Sequence, residues 1–186
     1  MNIQIPPPDG FLDLEGSGHL LKMVESLFDS GQPGVLSTID RNGFPQSRWM
    51  ATTSFATFPH FYTLTSPDSQ KVQQIAVHPM VSWMFSTPDL SLVVNLLCRA
   101  HVLLEDAETM KRIWRHINDK SRAYFLGNST TGPGFAVIET VVEHVECTLP
   151  ENNQKFLIDP AQLHPGRRAA AACSGCCGQC EKAPAA

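Results

Sequence analysis

The run from Ser91 to Glu105 has an apolar residue at every second position. Leu92, Val94, Leu96, Cys98, Ala100, Val102 and Leu104 fall on one side, and Val93, Asn95, Leu97, Arg99 and His101 on the other. A period of two belongs to an extended strand, whose successive side chains point to opposite faces. A strand this long with one wholly apolar face fits the wall of a β-barrel, with the mixed face turned to solvent or to an interface. Cys98, on the apolar face, reads as a small buried hydrophobe.

The preceding segments supply further wall. Val35 to Asp40 is a short strand, and Arg41-Asn42-Gly43 is a hairpin signal because Asn-Gly tolerates positive φ. The return strand, Phe44 to Thr53, puts Gln46, Arg48 and Met50 on one face and Trp49 on the other. Phe61 to Ser66 follows. Met80 to Ser86 sets Val81, Trp83 and Phe85 against Ser82, Met84 and Ser86, a half-buried pattern. Phe135 to Leu149 is a last long strand, rich in β-branched residues. Its alternation groups Glu139 and Glu143 with valines, so part of it is expected to be exposed. Helices flank the strands. Leu20, Leu21, Val24, Leu27 and Phe28 form one helical face, with Ser17 placed to cap its start and Gly31 just past its end. Val72, Ile75 and Ala76 give a short helix its apolar face, and Pro79 ends it. Asp106 caps a third helix with the stripe Met110, Ile113, Trp114 and Ile117. Residues 124–133 read as a loop. The class is mainly β, a barrel with flanking helices. Residues 1–16, with Pro6, Pro7 and Pro8, are an arm; 17–149 form the domain; 150–172 are a linker or surface extension; 173–186 are a Cys-rich tail.

Charge and composition exclude several classes. Lys and Arg number 14 against 18 Asp and Glu, a net charge of −4 with no basic stripe, which argues against nucleic acid as a partner. No apolar run is long enough to span a bilayer, and MNIQIPPPDG lacks the charged start and apolar stretch of a secretory signal, so the expectation is a cytoplasmic protein without a membrane partner. No nucleophile turn, Walker loop or H-E-x-x-H motif is present. The seven histidines are scattered, with no helical metal pair. Nothing supports acid–base chemistry by side chains alone, so an enzyme of this sequence would work through a cofactor.

One constellation suggests what that cofactor carries. Pro67-Asp68-Ser69 stops a strand and can cap the following helix, and Lys71 sits in its first turn. A helix N-terminus holds partial positive charge and unpaired N–H groups, so a lysine there either points into water or faces an anion. A phosphate would account for Ser69, Lys71 and the helix end together. Arg48, between Ser47 and Trp49 in a strand, likewise either leaves to solvent or meets an anion.

The residues VLSTIDRNGFPQSRWM, FYTLTS, Ser69-x-Lys71 and VHPMVSWMF, in that order and spacing, resemble the pyridoxamine 5′-phosphate oxidase-like family of FMN-binding split β-barrels, and within it the general stress protein branch. The resemblance runs from Gly34 to about Cys147. It implies a six-stranded split barrel, a homodimer, and FMN in clefts at the subunit interface. By the same resemblance Arg48 and Lys71 hold the FMN phosphate with Ser69 assisting. The backbone of Trp49, Met50 and Ala51 meets the polar edge of the ring, and Tyr62 and Thr63 line the ribityl chain. Asn95 stands where a residue reaches the flavin of the partner subunit. The Trp and Arg near the C-terminus of the biosynthetic oxidase have no counterpart. The implied activity is therefore that of an FMN-dependent oxidoreductase acting between a reductant such as NAD(P)H and a small-molecule substrate. The rivals are a non-catalytic flavin carrier or sensor, and a split barrel that takes haem, through His101 or His60, or a deazaflavin.

The tail stands outside that pattern. Cys173, Cys176, Cys177 and Cys180 form two abutting C-x-x-C pairs. Four thiolates suit zinc, copper(I) or an iron–sulfur cluster, but the zero-length spacer leaves little chain to wrap an ion.

Overall fold

The structure, a computed structural model, describes residues 11–12, 18–52, 55, 57–103 and 135–165. The expected helix after Asp106, the loop 124–133, the cap Ser17 and the cysteines Cys173, Cys176, Cys177 and Cys180 lie outside these residues. The elements in chain order are β1 (Phe11–Leu12), α1 (Gly18–Asp29), β2 (Gly34–Ile39), β3 (Pro45–Met50), β4 (His60–Thr65), α2 (Gln70–Val77), β5 (Met80–Ser86), β6 (Val93–Leu103), β7 (Ala136–Leu149) and β8 (Gln154–Ile158). Among the described residues no helix is long and apolar enough to cross a membrane.

The strands form one sheet in the order β1-β8-β7-β6-β5-β2-β3, with β4 paired separately to β7. One edge of β7 carries β6 along its length. Its other edge is shared, β4 taking Ala136 to Val141 and β8 taking Val145 to Leu149. Strands β3 and β4 thus end the two arms of a curved antiparallel sheet. Their edges meet without a ladder of their own, and Thr63 Oγ1 donates to the Ala51 carbonyl at 2.6 Å across the seam. The six strands β2 to β7 are the split barrel that the sequence predicts, and β1 and β8 extend it.

The partial exposure expected of the last barrel strand has a different form. Leu97 pairs with His144 but Cys98 with Val142, so Glu143 is an extra residue in β7. Such a β-bulge reverses which parity faces the core. Ala136, Ile138, Thr140 and Val142 are buried before it, and Val145 and Cys147 after it. The strand keeps one face buried throughout. Glu143 turns outward and accepts from Arg99 Nε at 3.0 Å.

Helix α1 lays Leu20, Val24, Leu27 and Phe28 on the barrel, as its periodicity predicts. Phe28 stacks on Phe55 with ring centroids 4.7 Å apart, and Phe61 meets Trp83 edge-on at 5.3 Å. Such pairs hold about 0.5–1.5 kcal/mol beyond the area they bury. Gly34 is required here, because a Cβ on it would lie 2.6 Å from the Phe85 ring.

Beyond Pro150, where the composition suggests a linker or surface extension, the chain extends the sheet. Strand β8 pairs with β7 and, in parallel, with β1, which lies within the expected arm. Phe156, Ile158 and Leu163 are buried, and the His164 N–H donates to Glu25 Oε1 at 2.9 Å, fastening the extension to α1. Ile158→Ala is expected to lower stability by roughly 2–5 kcal/mol through its cavity. Leu157→Ala, at a position 38% exposed, should change it by less than about 1 kcal/mol. Urea unfolding of both variants checks the difference.

Candidate functional site

The hairpin between β2 and β3 decides where Arg48 goes. Asp40 Oδ1 accepts the N–H groups of Asn42 and Phe44 at 2.8 and 2.9 Å, and the Asp40 carbonyl accepts from Gly43 N at 3.0 Å. Gly43 has φ +85, whereas Asn42 keeps a negative φ, so the connection is a three-residue loop rather than a two-residue Asn-Gly turn. This loop sets Leu36 opposite Arg48. Directly opposed residues share a face, and Leu36 is fully buried. The arginine stem is therefore aimed at the inner side of the seam. Arg48 Nη1 donates to Thr38 Oγ1 at 2.5 Å and Nη2 to Gln74 Oε1 at 3.2 Å. Thr38 Oγ1 also donates to Gln74 Oε1 at 2.5 Å.

Helix α2 brings the second cation. Ser69 occupies the N-cap position with extended backbone but makes no side-chain cap bond. Its hydroxyl lies 3.2 Å from Thr65 Oγ1 instead. Lys71 Nζ donates to the same Thr65 oxygen at 2.8 Å. The buried residues of α2 are Val72, Gln74 and Ile75. Ala76, expected on that face, is exposed. Gln74 follows Lys71 by three positions and so lies on the same side of the helix, which is how one short element serves both cations.

Burial depresses the ionisation of both groups. Desolvation pushes the Arg48 guanidinium down from its ordinary value. It does the same to Lys71, and the nearby positive charge of Arg48 adds to the effect. The oxygens that receive them, on Thr38, Gln74 and Thr65, are all uncharged. Both ion pairs among the described residues lie elsewhere, at His60–Glu139 and Arg99–Glu143. Among the described residues these two cations have no counter-charge, and they stand beside a helix N-terminus with no acidic residue in its first turn, a combination with the charge and the donors to accept a multiply charged anion.

The remaining expected residues divide between two faces. Thr63 is buried at the seam and bonds to Ala51, and Met50 packs on the core. Tyr62 faces the other way and donates to Glu139 Oε1 at 3.3 Å. Trp49 is 70% exposed on the outer side of the sheet. In register it opposes Val35, Val35 opposes Met84, and Met84 opposes Asn95. Trp49 and Asn95 therefore share an outer row and do not join Arg48 and Lys71 within one chain. Of the haem candidates, His60 pairs with Glu139 at 3.4 Å, and His101 opposes Glu139 in register. Among the described residues no group of three or more His, Cys, Asp or Glu is placed to hold a metal ion. Thr38, Thr65 and Gln74 escaped the sequence reading. The i, i+3 step from Lys71 was the signal for Gln74, and the alternation in β4 and β2 for the threonines.

Comparisons with known proteins agree with this fold. Residues 20–148 match the family model described as pyridoxamine 5′-phosphate oxidase. No curated protein sequence matches the chain significantly. Among solved structures, a Clostridium acetobutylicum protein related to general stress protein 26 superposes with a TM-score of 0.65 at 14% identity, covering 81% of this chain and 99% of its own. General stress protein 26 of Bacillus anthracis gives 0.57 at 20% identity, covering 75% and 99%. A pyridoxamine 5′-phosphate oxidase-related, FMN-binding protein of Nostoc punctiforme gives 0.58 at 14% identity, covering 79% and 89%. At these identities the structural likeness speaks for the fold, and the family model covers most of the barrel. The chain belongs to the pyridoxamine 5′-phosphate oxidase family.

Proposed function

We propose that this protein is an FMN-binding oxidoreductase, a homodimer in which the seam between β3 and β4 holds the cofactor's phosphate. The observation that carries this reading is the convergence of Arg48 and Lys71 on neutral oxygens only. A phosphate monoester, with up to two negative charges, would match both cations and accept from the α2 N-terminus and Ser69. Thr63 and the Ala51 backbone, joined across the seam, lie beyond that point and suit the next part of a mononucleotide. FMN would supply the electron transfer, while the chain supplies the anchor and the orientation.

Dimerisation rests on the outer face of the sheet. Trp49 is 70% exposed, Met80 49% and Met84 40%, and they stand near Val35 and Leu97 on one surface. Large exposed apolar side chains of this kind, interspersed with Ser37, Ser47 and Ser82, suit an interaction site, and a second copy would bring Asn95 and Trp49 to the neighbouring seam.

Flavin titration followed by fluorescence tests the anchor. Charge-assisted hydrogen bonds are each worth about 1.5–3 kcal/mol, so Arg48→Ala combined with Lys71→Ala should weaken FMN by roughly a hundredfold or more. Riboflavin, which lacks the phosphate, should bind both proteins alike; equal FMN affinity in the two would reject the assignment. NAD(P)H consumption by the flavin-loaded protein then measures the oxidoreductase activity.

Lys71 also gives the ligand-free protein a distinctive pH response. Its unfolded value is the ordinary 10.5 and its folded value is lower. Between the two the unfolded chain binds more protons, so stability rises with pH as it approaches 10.5. Below both values the penalty is constant. Wild type minus Lys71→Met, compared by urea unfolding across pH, should show that rise, and saturating phosphate should suppress it. Trp49→Glu, read by light scattering after gel filtration, is expected to convert the dimer to monomer.

A further inference from the structure

We infer that Gln74 is the residue that keeps the anion site positively charged: its neutral amide oxygen positions the Arg48 guanidinium without neutralising it. The inference rests on the proposed phosphate anchor and assigns a role to a residue outside it.

Gln74 is 9% exposed, and its neighbour Thr38 is fully buried. A single oxygen, Gln74 Oε1, accepts from both Arg48 Nη2 and Thr38 Oγ1, while that same threonine oxygen accepts from Arg48 Nη1. The three side chains close a triangle on one edge of the guanidinium. Arginine carries five N–H donors, so the Nε edge and the outer hydrogens stay available for a ligand. A partly buried cation of this kind is usually matched by a carboxylate. Glutamine has the shape and reach of glutamate, so an ion pair was geometrically open to this position. An ion pair here would hold Arg48 equally well but would cancel half of the charge that attracts a dianion. It would also set a negative group beside the ligand. The amide gives the orientation and leaves the charge.

This makes an opposite-sign prediction for one substitution. Gln74→Glu should raise the melting temperature of the ligand-free protein, because Arg48 gains a counter-charge. It should weaken FMN by roughly tenfold to a hundredfold through repulsion of the phosphate, with riboflavin affinity unchanged. Gln74→Met, which keeps the volume and removes the oxygen, should weaken FMN severalfold without the gain in stability. A merely structural role would move stability and all ligands together, and would not separate FMN from riboflavin.

Inorganic phosphate is the second probe, read as a rise in melting temperature without any flavin. If wild type binds FMN and Gln74→Glu binds it as tightly, the inference is overturned while the cofactor assignment stands. If wild type responds to phosphate and not to FMN, and Gln74→Glu loses the phosphate response, the cofactor assignment fails while the inference stands. A wild-type protein that responds to neither overturns both. A variant that melts well below wild type and loses riboflavin as well overturns the positioning role.

Discussion

Arg48 and Lys71 repel each other, and the seam between β3 and β4 is built to keep them together anyway. Like charges in a partly desolvated site raise the free energy of the folded chain. They stay because every polar group offered to them, on Thr38, Gln74 and Thr65, accepts a hydrogen bond and brings no charge. The arrangement needs three things at once. The β2–β3 register must point Arg48 inward, β4 must end with Thr65 at the seam, and α2 must start directly after it. A one-residue slip of β3 would send Arg48 to the outer face and bury Trp49 at the seam, since side chains alternate along a strand. The Asp40–Phe44 loop that holds this register is therefore as much a part of the site as the cations.

How much of this was readable depends on whether the signal is local. The alternation of β6 and the stripe of α1 are local, and both elements fold as their patterns predict. The bulge at Glu143 is a property of how β7 registers against β6, so the mixed alternation of that strand read as exposure rather than a change of face. Strand β8 is five residues long, too short for periodicity to separate it from a surface loop. Phe156 and Ile158 are apolar at alternate positions, but only pairing with β7 gives them a core to enter.

The site divides along the same line. Arg48 and Lys71 stood out because each is locally awkward: an arginine beside a tryptophan in a strand, or a lysine at the wrong end of a helix. Thr38, Thr65 and Gln74 are locally unremarked, since a threonine in a strand and a glutamine in a helix need no explanation. Their role exists only once two strands and a helix meet. Sequence reading found the groups whose charge poses a problem and missed the neutral groups that solve it.

The two faces of β3 tie the anchor to the surface. Arg48 and Trp49 are adjacent and point to opposite sides of a strand that pairs only with β2 among the described residues. A strand with one ladder partner is the most easily displaced part of a sheet, because half of its backbone groups have no strand to bond. Packing a partner against Trp49 would stiffen β3 and thereby restrict the guanidinium of Arg48, three residues before the Ala51 seam contact. Assembly and anion binding would then favour the same conformation of one strand. Coupling of this kind requires no movement of the barrel, only that each event removes freedom the other would otherwise have to remove.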